Sequence, residues 1–358
     1  MSEKLKVLVV DDSALYRQVI TDIFKTVPQI EVVGMAENGV EALERMDSLK
    51  PDLVTLDIEM PVMDGLRTLE KMRSKHPGVK TLLISHYTEK GAELTIRALN
   101  LGADDFVTKP TRAGSVDENL RWLKNQLLPR VRQFVPANKT RTGINRIAQY
   151  TRQEDQEGVV YPHGRPRAFP RDVIAIGLST GGPKCLSNLF RQLPSTIKQA
   201  ILIVQHMPPL FTKKLADQLN ELGTIPAHEA EDYEPVERGK AYIAPGDYHM
   251  TVQKENGRHV IRLNQDPPEN YCRPAVDVLF RSVAKAYGRR ALGVVLTGMG
   301  KDGLNGSRMM KEAGAPIIAQ DKETSVIWGM PGQIVEHGLA DAIAPIDKMY
   351  NVITSFIL

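Results

Sequence analysis

Ile174-Ala-Ile-Gly-Leu-Ser-Thr-Gly-Gly-Pro183 is an apolar run that stops at a serine flanked by glycines and passes into a proline. A short apolar run bounded by turn residues has the length of a buried strand, and proline is favoured in the first turn of a helix. The stretch therefore reads as strand, sharp turn, helix. The same unit recurs downstream. Strand Val173–Ile176 precedes helix Pro183–Gln192, strand Ala200–Val204 precedes helix Pro209–Leu222, and helix Pro274–Tyr287 precedes strand Leu292–Leu296. Strands alternating with helices predict an α/β domain on a parallel sheet, because parallel neighbours need crossover connections. Between these units, Met250–Lys254 and Arg258–Leu263 flank Glu255-Asn-Gly257, a strong signal for an added β-hairpin.

Upstream, residues 5–128 carry the same rhythm in shorter steps. Apolar runs at Val7–Val10, Val32–Met35, Leu53–Leu56, Leu82–Ile84 and Phe106–Val107 are separated by amphipathic stretches such as Ala14–Phe24 and Gly91–Leu101. Five strand–helix units predict an open, doubly wound parallel sheet of the flavodoxin-like kind. The expected organisation is a first domain over residues 1–128, a linker over 129–170 and a second, Rossmann-like domain over 171–358. Pro136, Pro162, Pro166 and Pro170 break the periodicity of the linker, with one helical stretch expected near Ile144–Arg152.

Composition narrows the function classes. Hydrophobic residues at 42% and charged residues at 25% suit a globular protein, and no apolar run approaches the roughly 20 residues of a membrane span. The N-terminus lacks a signal-peptide pattern, so a cytoplasmic protein without membrane insertion is expected. The net charge of +3 is misleading. Nine Lys or Arg against three Asp or Glu lie between Arg130 and Arg171, and the rest of the chain is net negative. A basic linker of this kind is poor support for nucleic-acid binding. Cys185 and Cys272 stand far apart with no C-x-x-C partner, which argues against a disulfide or zinc framework.

Acids in the first domain sit at strand ends, where open α/β sheets bind ligands. Asp11 and Asp12 follow the first strand and Asp57 ends the third. Gathered together they need a hard divalent cation, which points to magnesium. Ser85 and Lys109 end the fourth and fifth strands, supplying a hydroxyl and a point charge for phosphate. Asp57 is then a carboxylate nucleophile for phosphoryl transfer.

In the second domain Gly177-Leu-Ser-Thr-Gly181 matches G-x-S-x-G. The same string fits a glycine-rich turn cradling a phosphate at a helix N-terminus. His206 follows the strand Ala200–Val204 and is the best-placed base, with His249 its competitor. Asp302, in Leu296-Thr-Gly-Met-Gly-Lys-Asp-Gly303, can orient the imidazole, or alternatively cap the following helix. The Met299 N–H is a candidate oxyanion donor. The order Ser, His, Asp differs from that of ordinary α/β-hydrolases.

Val9-Val-Asp-Asp-Ser13, Leu56-Asp-Ile-Glu-Met-Pro-Val-Met-Asp-Gly65, Ser85 and Lys109-Pro110 together resemble the response-regulator receiver family over residues 4–128. GLSTGG, QHMPP, YIAPGDYHM, RPAVDVLF, LTGMGKDG and WGMPG, spread over about residues 170–350, resemble the catalytic domain of the chemotaxis protein-glutamate methylesterases. The resemblance implies that a histidine kinase phosphorylates Asp57 and that Asp11, Asp12 and the Glu59 carbonyl join Asp57 around magnesium. It also implies that Phe106 is the aromatic switch residue, that Ser85 and Lys109 hold the phosphoryl oxygens, and that the Lys109–Pro110 bond, often cis in this family, is a candidate cis peptide. In the second domain it implies Ser179 as nucleophile, His206 as base, Asp302 as its partner and Thr180 as support.

The implied reaction is hydrolysis of γ-glutamyl methyl esters on chemoreceptors, with receptor glutamines as further substrates and no cofactor in the hydrolase site. The implied regulation is a receiver that covers the cleft until phosphorylated. Two departures stand out: Ala275 where the family has Ser, and Cys272 where it has a more polar residue. An adaptor that has lost catalysis, or an enzyme serving a parallel chemosensory pathway, are the competing readings.

Overall fold

Apolar strands and amphipathic helices alternate through both halves of the chain. The computed structural model describes residues 4–110, 115–135, 158–164 and 169–357. Contacts divide it into two units, Met1–Thr140 and Arg141–Leu358.

The first unit runs β1 (Leu5–Val10), α1 (Ala14–Lys25), β2 (Ile30–Ala36), α2 (Gly39–Leu49), β3 (Leu53–Asp57), α3 (Gly65–Lys75), β4 (Lys80–Ser85), α4 (Glu89–Asn100), β5 (Asp105–Thr108) and α5 (Val116–Arg132). Its sheet is parallel in the order β2-β1-β3-β4-β5. Val7, Val9, Leu53, Leu82 and Ile84 pack against Ile20, Phe24, Leu123 and Leu127 to form a core on one face. Every described helix of this unit starts with a side-chain cap: Ser13, Asn38, Asp64, Thr88 and Ser115, the last in a capping box with Glu118. Each cap satisfies backbone N–H groups that the helix itself leaves unpaired. The chain reverses direction in the sheet between β1 and β3, so the ends of these two strands frame the expected ligand crevice.

The second unit contains β6 (Val173–Leu178), α6 (Gly182–Phe190), β7 (Ala200–Gln205), α7 (Phe211–Leu222), β8 (Ala227–Glu229), β9 (Ala241–Ile243), β10 (His249–Glu255), β11 (Arg258–Asn264), α8 (Val276–Tyr287), β12 (Ala291–Val295), α9 (Leu304–Glu312), β13 (Ile317–Gln320), α10 (Met330–Glu336), β14 (Ala342–Ala344) and α11 (Met349–Phe356). Seven parallel strands form the order β14-β13-β12-β6-β7-β9-β8, with β10 and β11 as a separate antiparallel pair. Asn256 and Gly257 both have positive φ (48° and 79°), as the tightest hairpin turn requires. Strands β8 and β9 are only three residues long and were not among the expected elements. Val160, inside the stretch read as linker, pairs with Ile343 through two backbone hydrogen bonds of 2.9 Å. The expected helix near Ile144–Arg152 lies outside the described residues.

The topology of this larger sheet locates its site. The chain leaves β6 towards β7 and later returns to the other side of β6 with β12. The switch point therefore lies between β6 and β12, and their carboxyl ends define a crevice.

Candidate active site and acidic pocket

In the first unit the switch point gathers charge. Ligand oxygens of Asp11, Asp12 and Asp57 all lie within 4.8 Å of one another. Lys109 Nζ reaches Asp57 Oδ2 at 2.7 Å and Asp11 Oδ2 at 3.0 Å, and sits 4.7 Å from the centre of the Tyr16 ring. Burial pushes the Asp57 carboxyl up to about 6, Lys109 opposes this, and Asp11 adds to it. Asp11 Oδ2 has its ion pair with Lys109 but no aligned hydrogen bond. One lysine facing three acids leaves the pocket net negative, and an incompletely satisfied buried carboxylate oxygen suits a hard divalent ion. This acidic pocket thus fits magnesium, which when bound would supply positive charge towards incoming phosphoryl oxygens.

The other expected receiver residues are placed nearby, with differences. The Ser85 hydroxyl donates to Gly91 O (3.1 Å) and accepts from Thr95 Oγ1 (2.7 Å), so it faces α4 in this structure. Phe106 is buried. The Glu59 side chain is occupied by Lys90 at 2.5 Å and His86 at 3.6 Å, leaving only its backbone as a candidate ligand. The Lys109–Pro110 bond is trans, contrary to expectation; among the described residues the cis bond is Arg273–Pro274.

In the second unit Ser179 follows β6, His206 follows β7 and Asp302 follows β12, so three strand ends around the switch point carry them. Ser179 N–H donates to Thr297 O (3.0 Å), while the Thr297 hydroxyl donates to Thr180 O (2.9 Å). These bonds tie the turn after β6 to the loop after β12. Gly298 makes that approach possible, because a Cβ there would lie 2.9 Å from Ser179 Cβ and 2.4 Å from the Met330 sulfur. Gly181, at φ 80°, starts α6 without a side-chain cap. The first N–H of α6, from Gly182, donates to the Ser179 backbone oxygen (2.8 Å), and no side chain neutralises the positive end of the helix. Ser179 is partly exposed, Met299 is 41% exposed, and the Met299 N–H makes no backbone hydrogen bond among the described residues.

Asp302 is almost fully enclosed and saturated with donors. Its Oδ2 accepts from His206 Nε2 (2.8 Å) and Val276 N–H (2.6 Å). Its Oδ1 accepts from Asp277 N–H (3.0 Å), Gly303 N–H (3.0 Å) and Asn270 Nδ2 (3.0 Å). Asp302 does cap a helix, but it is the start of α8 rather than the helix that follows it, and the same carboxylate holds the His206 imidazole. Asp277 returns the favour by accepting from Gly306 N–H (2.6 Å) in the first turn of α9. Burial works to raise the Asp302 carboxyl, yet the His206 ring and these N–H groups outweigh it and hold it below the usual range.

Burial opposes charge on His206, but Cys272 and Asp302 overcome it and hold the imidazole above its ordinary range. With Nε2 on Asp302, the free nitrogen is Nδ1, which lies 3.5 Å from Cys272 Sγ. Among the described residues no hydrogen bond joins Ser179 Oγ to His206. The competitor His249 is buried and spent structurally: Nδ1 accepts from Ala275 N–H (3.2 Å) and Nε2 faces Pro267 O (3.3 Å). Cys185 is a core residue whose thiol burial pushes up to about 12. Asn270 and Asp277 escaped the sequence reading. The signal for Asp277 was an acid inside the apolar start of a helix, Ala275-Val-Asp-Val-Leu279; nothing marked Asn270.

Both units have relatives among known proteins. Residues 7–121 match the response regulator receiver domain and residues 174–353 match the CheB methylesterase family. A protein-glutamate methylesterase/protein-glutamine glutaminase of Trichodesmium erythraeum is 42% identical over 97% of both chains. One from Pyrococcus abyssi is 42% identical, covering 97% of this chain and 92% of its own. The crystal structure of the Thermotoga maritima CheB methylesterase catalytic domain is 41% identical with a TM-score of 0.51, covering 52% of this chain and 99% of that one. No described helix is long and apolar enough to cross a membrane. A receiver domain ahead of a hydrolase domain, with relatives matching along the whole length, makes this chain a member of the protein-glutamate methylesterase/protein-glutamine glutaminase family.

Proposed function

We propose that this chain hydrolyses γ-glutamyl methyl esters on cytoplasmic segments of chemoreceptors by a Ser179–His206–Asp302 mechanism, under control of phosphorylation at Asp57. The observation that carries the catalytic part is the His206 Nε2–Asp302 Oδ2 contact of 2.8 Å at the switch point that also presents Ser179. Asp302 fixes the tautomer with hydrogen on Nε2, which leaves Nδ1 to accept the Ser179 proton. As Oγ bonds to the ester carbon, the carbonyl oxygen gains charge. The Met299 N–H and the uncapped start of α6 are placed to stabilise it, with Thr180 shaping the turn.

Collapse breaks the C–O bond, methoxide takes the proton from His206, and methanol leaves. Water then hydrolyses the glutamyl-serine ester by the same base. An amide substrate would release ammonia by the same route, which extends the activity to glutamine side chains.

In the receiver, an Asp57 oxygen attacks the phosphohistidine of a histidine kinase, forming an acyl phosphate as the P–N bond breaks and the imidazole leaves. Asp11, Asp12 and the Glu59 carbonyl would hold magnesium, which would supply positive charge to the phosphoryl oxygens. Lys109 already touches Asp57, and Ser85 would turn from α4 to the phosphoryl oxygens, with Phe106 following. Relief of receiver-imposed blockage is the form of control proposed. Methanol release from methylated receptors tests the whole: His206→Gln should abolish it. A small-molecule phosphodonor with magnesium should raise it in the intact protein but not in a fragment starting near residue 168. An adaptor without catalysis would release no methanol in any form.

A further inference from the structure

A single amide stands between the acid of the base pair and a second buried carboxylate. Asn270 Nδ2 donates to Asp302 Oδ1 and to Asp277 Oδ2, both at 3.0 Å. Asp277 is fully buried and Asp302 is 2% exposed. Carboxylates so placed repel each other, and a neutral group donating one hydrogen to each lets both stay ionised. The turn that delivers the amide is held on every side. Asn270 and Tyr271 have φ of 52° and 65°, the left-handed region that asparagine tolerates better than most residues. Glu269 and Cys272 exchange backbone hydrogen bonds of 3.1 and 2.9 Å across it. The Glu269 carboxylate takes both arms of Arg281 on α8, each at 2.6 Å. Two residues beyond Asn270, Cys272 Sγ meets the remaining ring nitrogen of His206 at 3.5 Å.

We propose that the Glu269–Cys272 turn is a positioning element of the catalytic base, in which Asn270 fixes Asp302 against His206 and shields that pair from Asp277. Asn270 touches no reacting atom and acts through Asp302. The charged or titratable groups around the pair are Asp277 from α8, Cys272 from the turn and, further out, the Glu269–Arg281 ion pair. The inference rests on His206 and Asp302 being the base. Losing the amide leaves more uncompensated negative charge beside the imidazole, so the pH at which His206 gives up its proton should rise.

The test is the pH profile of methanol release in the full-length protein, whose rising limb in kcat/KM reports the free-enzyme base. Asn270→Gly keeps the left-handed backbone and removes the amide. It should lower kcat about tenfold with KM within about twofold, and move the limb to higher pH. Asn270→Asp, almost the same shape, should move the limb further in that direction. Asp277→Asn removes the second carboxylate and should move it to lower pH. That graded order, with both signs, is a pattern that general loosening of the fold would not produce. Folded variants with an unmoved limb, or activity losses that track melting temperature with no limb shift, would overturn the proposal. Full turnover in His206→Gln would instead sink the reading on which it stands.

Discussion

Two aspartates lie at the switch points of two parallel sheets, Asp57 ending β3 and Asp302 in the loop after β12, and their surroundings push them in opposite directions. Asp57 lies among acids: Asp11 is buried beside it, and Lys109 is the cation that pairs with both. Its carboxyl is pushed up to about 6, chiefly by burial. Asp302 is as deeply buried but receives five donors and is held below the usual range. Burial alone therefore does not decide a carboxylate's character; the partners that reach it do, here the His206 ring first and then backbone N–H groups. The helix starts show how a supply of N–H groups arises. Each described helix of the receiver unit is closed by its own Ser, Thr, Asn or Asp, so its first N–H groups are spent locally. The described helices of the catalytic unit have no such caps, and the free N–H groups of α8 turn to Asp302. The acidic pocket keeps excess negative charge that suits a cation, while the Asp302 carboxylate is matched by donors on both oxygens.

The comparison can be broken most sharply at Asp302. Asp302→Asn would set an amide against three backbone donors and lose the charge that supports the imidazolium. A drop in kcat of about 10⁴-fold is expected in methanol release. A loss under about tenfold would mean that the carboxylate is only a helix cap. At Asp57 the matching change, Asp57→Asn, should leave basal turnover within about twofold and erase the response to phosphodonor. Loss of basal turnover would show that the receiver pocket supports catalysis directly.

Stability should respond with opposite signs. The folded Asp57 pKa lies above the unfolded value, so its cost is absent below about pH 4 and fully present above about pH 6. In chelator at pH 7, Asp57→Asn should stabilise the receiver by about 1–3 kcal/mol, read by denaturant unfolding. Asp302 contributes stability above the unfolded carboxylate pKa and loses it as pH falls through its lower folded value. Asp302→Asn should destabilise the catalytic unit by about 2–4 kcal/mol. Two shifts of the same sign would contradict the account. The smallest effect is expected at Cys272. Because His206 is held above its ordinary range, kcat/KM should climb as pH passes that range and the ring becomes neutral. Cys272→Ala removes one of the groups holding it there and should move the limb to lower pH by about half a unit. A limb that stays in place would mean that Asp302 alone sets the base.

Much of this was legible in the sequence. Periodicity placed five strand–helix units before the linker, and the apolar runs ending at Asp11, Asp57, Ser179 and His206 marked strand ends where ligands bind. Asn256-Gly257 announced the hairpin. Strands β8 and β9 were not legible, because three residues carry no periodicity. The Lys109–Pro110 isomer was misjudged because family habit, rather than local chemistry, suggested it. Asn270 and Asp277 were invisible as a pair, since their roles depend on a contact with Asp302 some 30 residues away. A sequence shows which residue types stand at strand ends. Which donors reach a buried carboxylate is settled only when separate loops fold together.

The central claim is that Ser179 is the nucleophile of an ester hydrolysis driven by the His206–Asp302 pair. Methanol release from methylated receptor membranes, measured for wild type and for Ser179→Ala at equal concentrations of folded protein, tests it most directly. Turnover in Ser179→Ala should fall by at least about 10⁴-fold, while the receiver still takes up phosphate at Asp57. Methanol release within about tenfold of wild type would contradict the account.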